Sequence, residues 1–130
     1  MSSIVMLHEI DPKTKLLNDI GDISGIDLFN AQVLCAIYLR PQKTKSGILL
    51  TDRTVDEDRY QSKIGLLIKT GDSAFSPGDG WWMKGDVPRV GDWVIFRAAD
   101  GWDTDIHGVK CRMLSDTAIR GRVTQPDELW

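Results

Sequence analysis

The strongest constraint on this chain is its punctuation. From Ala31 onward, short apolar runs are cut by glycine, aspartate and proline before any reaches helical length. Val33 to Leu39 is a compact run closed by Pro41, rich in β-branched and aromatic residues. Ile64, Leu66 and Ile68 fall on one face of a second run that ends at Gly71-Asp72. Ser73 to Pro88, with its glycines, prolines and the pair Trp81-Trp82, is a long loop or hairpin excursion. Val90-Gly91-Asp92 is a turn that launches Trp93-Val94-Ile95-Phe96, and Asp100-Gly101 marks another turn. Gly108 to Leu114 alternates, with Val109, Cys111 and Met113 on one side and Lys110 and Arg112 on the other, and Ile119 to Val123 alternates too. Short strands at near-regular spacing predict a small all-β barrel or sandwich. At most one helix of a turn or two, around Ile26–Ala31, is expected.

Residues 1–30 have a different texture, mixing acids, glycines and single aliphatics with no clean period. They are expected to form an N-terminal arm or extension, with a barrel domain over residues 31–123 and a tail over 124–130. The length, 130 residues, suits one ordinary domain with its own core. A formal charge of −3 with no basic block argues against a nucleic-acid partner. No apolar stretch is long enough to span a bilayer, so no membrane association is expected. The N-terminus lacks a basic start followed by an apolar run, so cytoplasmic folding is the expectation. Five tryptophans in so short a chain hint at assembly, because Trp is enriched at interfaces; Trp81 and Trp82 are candidates for an oligomer interface.

Catalytic chemistry finds little support. His8 and His107 have no Cys, His or carboxylate at metal-ligand spacing. Cys35 and Cys111 lie in apolar runs and read as small buried hydrophobes rather than as a disulfide or metal pair. Gly78-Asp79-Gly80 is a turn and no phosphate-binding loop pattern occurs. Asp56-Glu57-Asp58 has the composition of a hard-cation or acid/base site, but the flanking Arg53 and Arg59 favour a solvated face. The chain is therefore read as not an enzyme, with no cofactor and no metal.

One stretch breaks the polar character of its surroundings. Gly47 is followed by three adjacent aliphatics, Ile48, Leu49 and Leu50, inside the charged run Lys43 to Lys63. Full burial of each is worth roughly 1.5–3 kcal/mol, so the triplet offers about 5–9 kcal/mol gross. Ordering a loop on binding takes back on the order of 2–5 kcal/mol. A single loop would thus bind near the millimolar range. A ring of such loops binds strongly, because each later contact is intramolecular. The plainer alternative is an edge strand packed in the core, with Gly47 as its turn.

The ordered blocks from Ala31 to Val123 resemble the GroES-type co-chaperonins, the small lids of ATP-driven chaperonins. Val33 to Arg40 resembles the family's first long strand. Thr44-Lys45-Ser46-Gly47-Ile48-Leu49-Leu50 resembles its mobile loop, and Lys63 to Gly71 its G-x-V-x-x-V-G strand. Val90-Gly91-Asp92-Trp93-Val94-Ile95-Phe96 is similar to V-G-D-x-V-I-F, and Gly108 to Ile119 to the closing strands. The resemblance implies a small irregular antiparallel β-barrel of GroES type, a homo-oligomer, and assistance to protein folding. It implies that Gly47, Ile48, Leu49 and Leu50 contact a chaperonin. The extra residues at both ends and the individual 73–88 excursion depart from the family and suggest a bacteriophage version. Two other roles fit such a protein: a virion component that decorates or stabilises a capsid, with the arm reaching neighbouring capsid proteins, or a host-interaction protein that binds the chaperonin without capping it.

Overall fold

A computed structural model describes residues 10–39, 62–76, 82 and 86–128. The described chain runs α1 (Pro12–Ile20), β1 (Gln32–Ile37), β2 (Ile64–Thr70), β3 (Trp93–Ile95), β4 (Trp102–Ile106), β5 (Val109–Ser115) and β6 (Gly121–Val123), with single 3-10 turns at Asp116–Ala118 and Pro126–Glu128. The strands form one six-stranded sheet in the order β4-β5-β1-β2-β3-β6, and each neighbouring pair is antiparallel. The protein is therefore mostly β, as the punctuation predicts.

The two central strands are apolar on both sides because both faces of the sheet are covered. Alternation splits β1 cleanly. Leu34, Ala36 and Tyr38 join Ile64, Leu66, Ile68, Trp93 and Cys111 in one cluster; Val33, Cys35 and Ile37 join Leu67, Val94, Phe96 and Leu114 in the other. A register shift between Leu34 and Cys35 marks a bulge in the β1–β2 ladder. Gly65 belongs to the same close packing: a Cβ there would sit 2.9 Å from the Cβ of Cys35.

The segment expected to be an arm covers the first face of the sheet. Asp11 caps α1 by accepting from the Thr14 amide at 3.2 Å, Pro12 starts the helix, and Gly21 closes it with its amide on Leu17 O at 3.1 Å. Leu16 and Ile20 stand one turn apart, so they share a face. Ile20 is 2% exposed, and Ile23, Ile26 and Leu28 continue the cover. The helix thus lies at 12–20, not at 26–31. A Pro at the first helical position behind an Asp cap is a helix start signal.

The turns follow their chemistry. Gly91 adopts φ 101°, and the Asp92 carboxylate accepts from the Arg89 amide at 2.9 Å. The same turn docks on β2, with Gly91 N–H on Leu67 O at 2.8 Å and Leu67 N–H on Asp92 O at 2.9 Å. That is the physical content of V-G-D before a strand. His107 and Gly108 form a two-residue hairpin turn with φ 50° and 81°, the left-handed pair that matches strand twist.

Candidate functional site

The connection between β1 and β2 leaves and returns at one point of the sheet. Ile37 pairs with Gly65, and Tyr38 N–H donates to Ile64 O at 3.0 Å. Ser62 is fully buried there; its hydroxyl lies 2.9 Å from Tyr38 O and 3.1 Å from Ile64 O, and it accepts from the Ile64 amide at 3.4 Å. The Tyr38 ring meets Trp93 edge-on with centroids 5.6 Å apart, and its hydroxyl donates to Asp127. The C-terminal 3-10 turn, with Pro126 buried, therefore clasps the same corner. Both ends of the 40–61 connection are held by the most deeply buried strands of the sheet.

The residues read as partner-binding, Gly47, Ile48, Leu49 and Leu50, lie outside the described residues, as do Trp81, His8 and the Asp56-Glu57-Asp58 cluster. Trp82 is described. Its indole N–H donates to Asp116 Oδ2 at 3.0 Å, and its ring packs edge-on against Phe75 at 4.7 Å. The Phe75 amide donates to the same carboxylate oxygen at 2.9 Å. Asp116 is buried, and two donors fixed on the 73–88 excursion satisfy it. The remaining side of Trp82 borders an open cleft of about 330 Å³ shared with Pro88, Ile119, Arg120 and Arg122. Arg122 bridges Asp86 and Asp92, the latter at 3.1 Å, and its hydrogen bond to Asp86 holds that carboxyl below the usual carboxylate range.

Sequence reading missed a second polar centre. Arg112, 2% exposed, donates to Ala98 O at 2.8 Å and to Asp103 Oδ1 at 3.0–3.1 Å, and its guanidinium lies 5.4 Å from the centre of the Phe96 ring. In the sequence Arg112 reads as the outward half of an alternating strand, because nothing local signals that the second face of the sheet is covered too. Asp103 sits on β4, whose sequence WDTDI carries too few apolar residues to announce a strand.

Nucleophilic and metal chemistry are poorly provided for among the described residues. Cys35 and Cys111 are free thiols in the core. Burial pushes the Cys35 thiol well up and that of Cys111 up to about 11, so neither is a thiolate at neutral pH. Their strand alternation places them in opposite clusters. His107 Nδ1 faces Ile20 O, tying the β4–β5 hairpin to the end of α1. No group of three or more His, Cys, Asp or Glu among the described residues is arranged to hold a metal, and no helix among them is long and apolar enough to cross a membrane. Neither a protein-family model nor a curated protein matches the chain.

Proposed function

We propose that this protein acts as a co-chaperonin-like lid, presenting Ile48, Leu49 and Leu50 from the 40–61 connection to apolar grooves of a chaperonin. One observation carries the reading: the connection that bears the aliphatic triplet is anchored at both ends by Tyr38, Ser62 and Ile64, in the most rigidly packed part of the sheet. A loop presented to a partner needs such a base, because a fixed exit point confines the search of the tip. Gly47 gives the backbone freedom at the start of the triplet. The reading takes the six-stranded antiparallel sheet as the wall of a small irregular barrel of GroES type, with β4 and β6 as its lips, in a bacteriophage-type homo-oligomer without catalysis.

The virion alternative depends on an arm that reaches neighbouring subunits. Ile20 and Leu28 are committed to the chain's own core, so residues 20–28 are not available for that reach. The lid reading is preferred on that ground.

The test is direct. Replacing Ile48, Leu49 and Leu50 together by Ser should abolish co-sedimentation of the full chain with an ATP-loaded chaperonin. Retained association would refute the lid reading.

A further inference from the structure

The turn that leads into β4 carries a reactive pair of residues in a shape that restrains it. Among the described residues Asp100-Gly101 is the only aspartate followed by glycine. Such a pair is the sequence most open to isomerisation, because glycine has no side chain to hinder its own amide nitrogen. That nitrogen attacks the Asp Cγ. The new C–N bond closes a five-membered succinimide, and the carboxyl C–O bond breaks with loss of water. Water then adds to one of the two ring carbonyls. Opening at Cγ restores aspartate. Opening at the main-chain carbonyl leaves the chain running through Cβ and Cγ, as isoaspartate. The water lost in the first step is regained in the second, so the sum changes neither mass nor oxidation state.

The geometry of the turn opposes ring closure. Arg97 grips the Asp100 carboxylate as a fork, with Nη2 3.1 Å from Oδ1 and Nε 3.4 Å from Oδ2. The Asp100 amide donates to Arg97 O at 3.0 Å, so backbone and side chain are fixed to the same residue. The fork also holds the carboxyl below the usual carboxylate range, and an ionised carboxylate is a poorer electrophile than the acid. Gly101 is restrained from the other side. It adopts φ 78°, and a Cβ there would lie 2.4 Å from Met113 O and 2.5 Å from Leu114 Cδ2, so its backbone is pressed against β5. The next residue, Trp102, is already paired with Met113. Closing the succinimide must turn the peptide between Asp100 and Gly101 out of that seat. Arg97 makes no other ion pair among the described residues, and its side chain is 68% exposed.

We propose that Asp100-Gly101 is a site of isoaspartate formation, and that Arg97 is the positioning residue that sets its rate by holding the Asp100 carboxylate in its fork. The consequence falls on β4. Isoaspartate lengthens the main chain by one carbon immediately before the strand. Gly101 then cannot keep its seat against β5 while Trp102 stays opposite Met113. Arg112 binds on both sides of the altered bond, at Ala98 O and at Asp103, so its contacts are disturbed as well. The modification is a slow, one-way loosening of the outer hairpin. The inference stands apart from the lid reading.

Ageing the full chain in neutral buffer at physiological temperature measures the rate. Isoaspartate is counted by enzymatic carboxyl methylation and located by fragment-ion mass spectrometry. The folded parent should modify Asp100 more slowly than the same chain in urea. Arg97→Ala should raise the native rate at Asp100 about two- to fivefold, the scale of one exposed ion pair. It should leave the rate at Asp79-Gly80, which lies outside the described residues, unchanged. Arg97→Lys keeps the charge without the fork and should fall between the two. Urea unfolding before ageing checks that the fold is retained. If Arg97→Ala weakens the fold, ageing the parent in high salt, which screens the same exposed pair, takes its place and should raise the rate at Asp100 alone. Equal rates at Asp100 in the folded and unfolded parent would overturn the proposal. So would a rate that Arg97→Ala leaves unmoved or lowers, or a rise shared equally by Asp79.

Discussion

The centre of the sheet and its outer hairpin are built on different physics. In β1 and β2 almost every side chain is buried, five of six positions in the first and five of seven in the second. In β4 none is buried. The centre is held by apolar packing on two faces. The hairpin is held by its ladder to β5, by the His107-Gly108 turn, and by the Arg112–Asp103 pair that reaches back over Phe96. A central strand announces itself by what it hides, whereas an edge strand shows only what it presents to solvent or to another chain.

Mutation should expose that contrast. The largest loss is expected at the centre. Leu66→Ala removes a fully buried side chain between β1 and β3 and should cost about 2–5 kcal/mol in denaturant unfolding, with an unchanged slope. A loss below about 1 kcal/mol would mean that the central pair is not the packed core described above.

The junction between the two regions should give an intermediate effect. Arg112→Ala strands the Ala98 carbonyl and leaves Asp103 only the longer ion pair with Lys110 at 3.9 Å, for about 1–3 kcal/mol by the same measurement. The value lies below that of a fully buried ion pair because Asp103 retains 38% side-chain exposure. Arg112→Met, which keeps the stem over Phe96, should recover part of the loss if packing of that stem contributes.

At β4, an outer strand of the sheet among the described residues, the same measurement should register almost nothing. Trp102→Ser is expected to change the stability of the isolated chain by less than about 0.5 kcal/mol, as for surface positions in general. A larger loss would place Trp102 in a contact that the sheet described here does not contain.

These differences explain what could be read in advance. The β1, β2, β3 and β5 strands were legible because buried residues alternate or run together, and the turn at Val90-Gly91-Asp92 because its residue types match its backbone. Helix α1 was obscured: its apolar residues Leu16, Leu17 and Ile20 are few, and its cap signals were outweighed by the breakers around them. Strand β4 was invisible, since Asp103 and Asp105 are depleted in strands and interrupt Trp102, Thr104 and Ile106. Of the site, the chemical oddity of Ile48-Leu49-Leu50 was plain in sequence. The clasp formed by Ser62, Tyr38 and Asp127 was not, because it joins residues far apart in the chain and carries no local pattern.

On the lid reading the aliphatic residues divide the labour: those of β1 and β2 hold the sheet together, while Ile48, Leu49 and Leu50 are proposed to be held out for a partner. Denaturant unfolding of the isolated Ile48/Leu49/Leu50→Ser chain tests it most directly. The division predicts a stability within about 1 kcal/mol of the parent, because surface positions contribute little. A loss of about 5 kcal/mol or more, the scale of three aliphatic side chains withdrawn from a core, would contradict it.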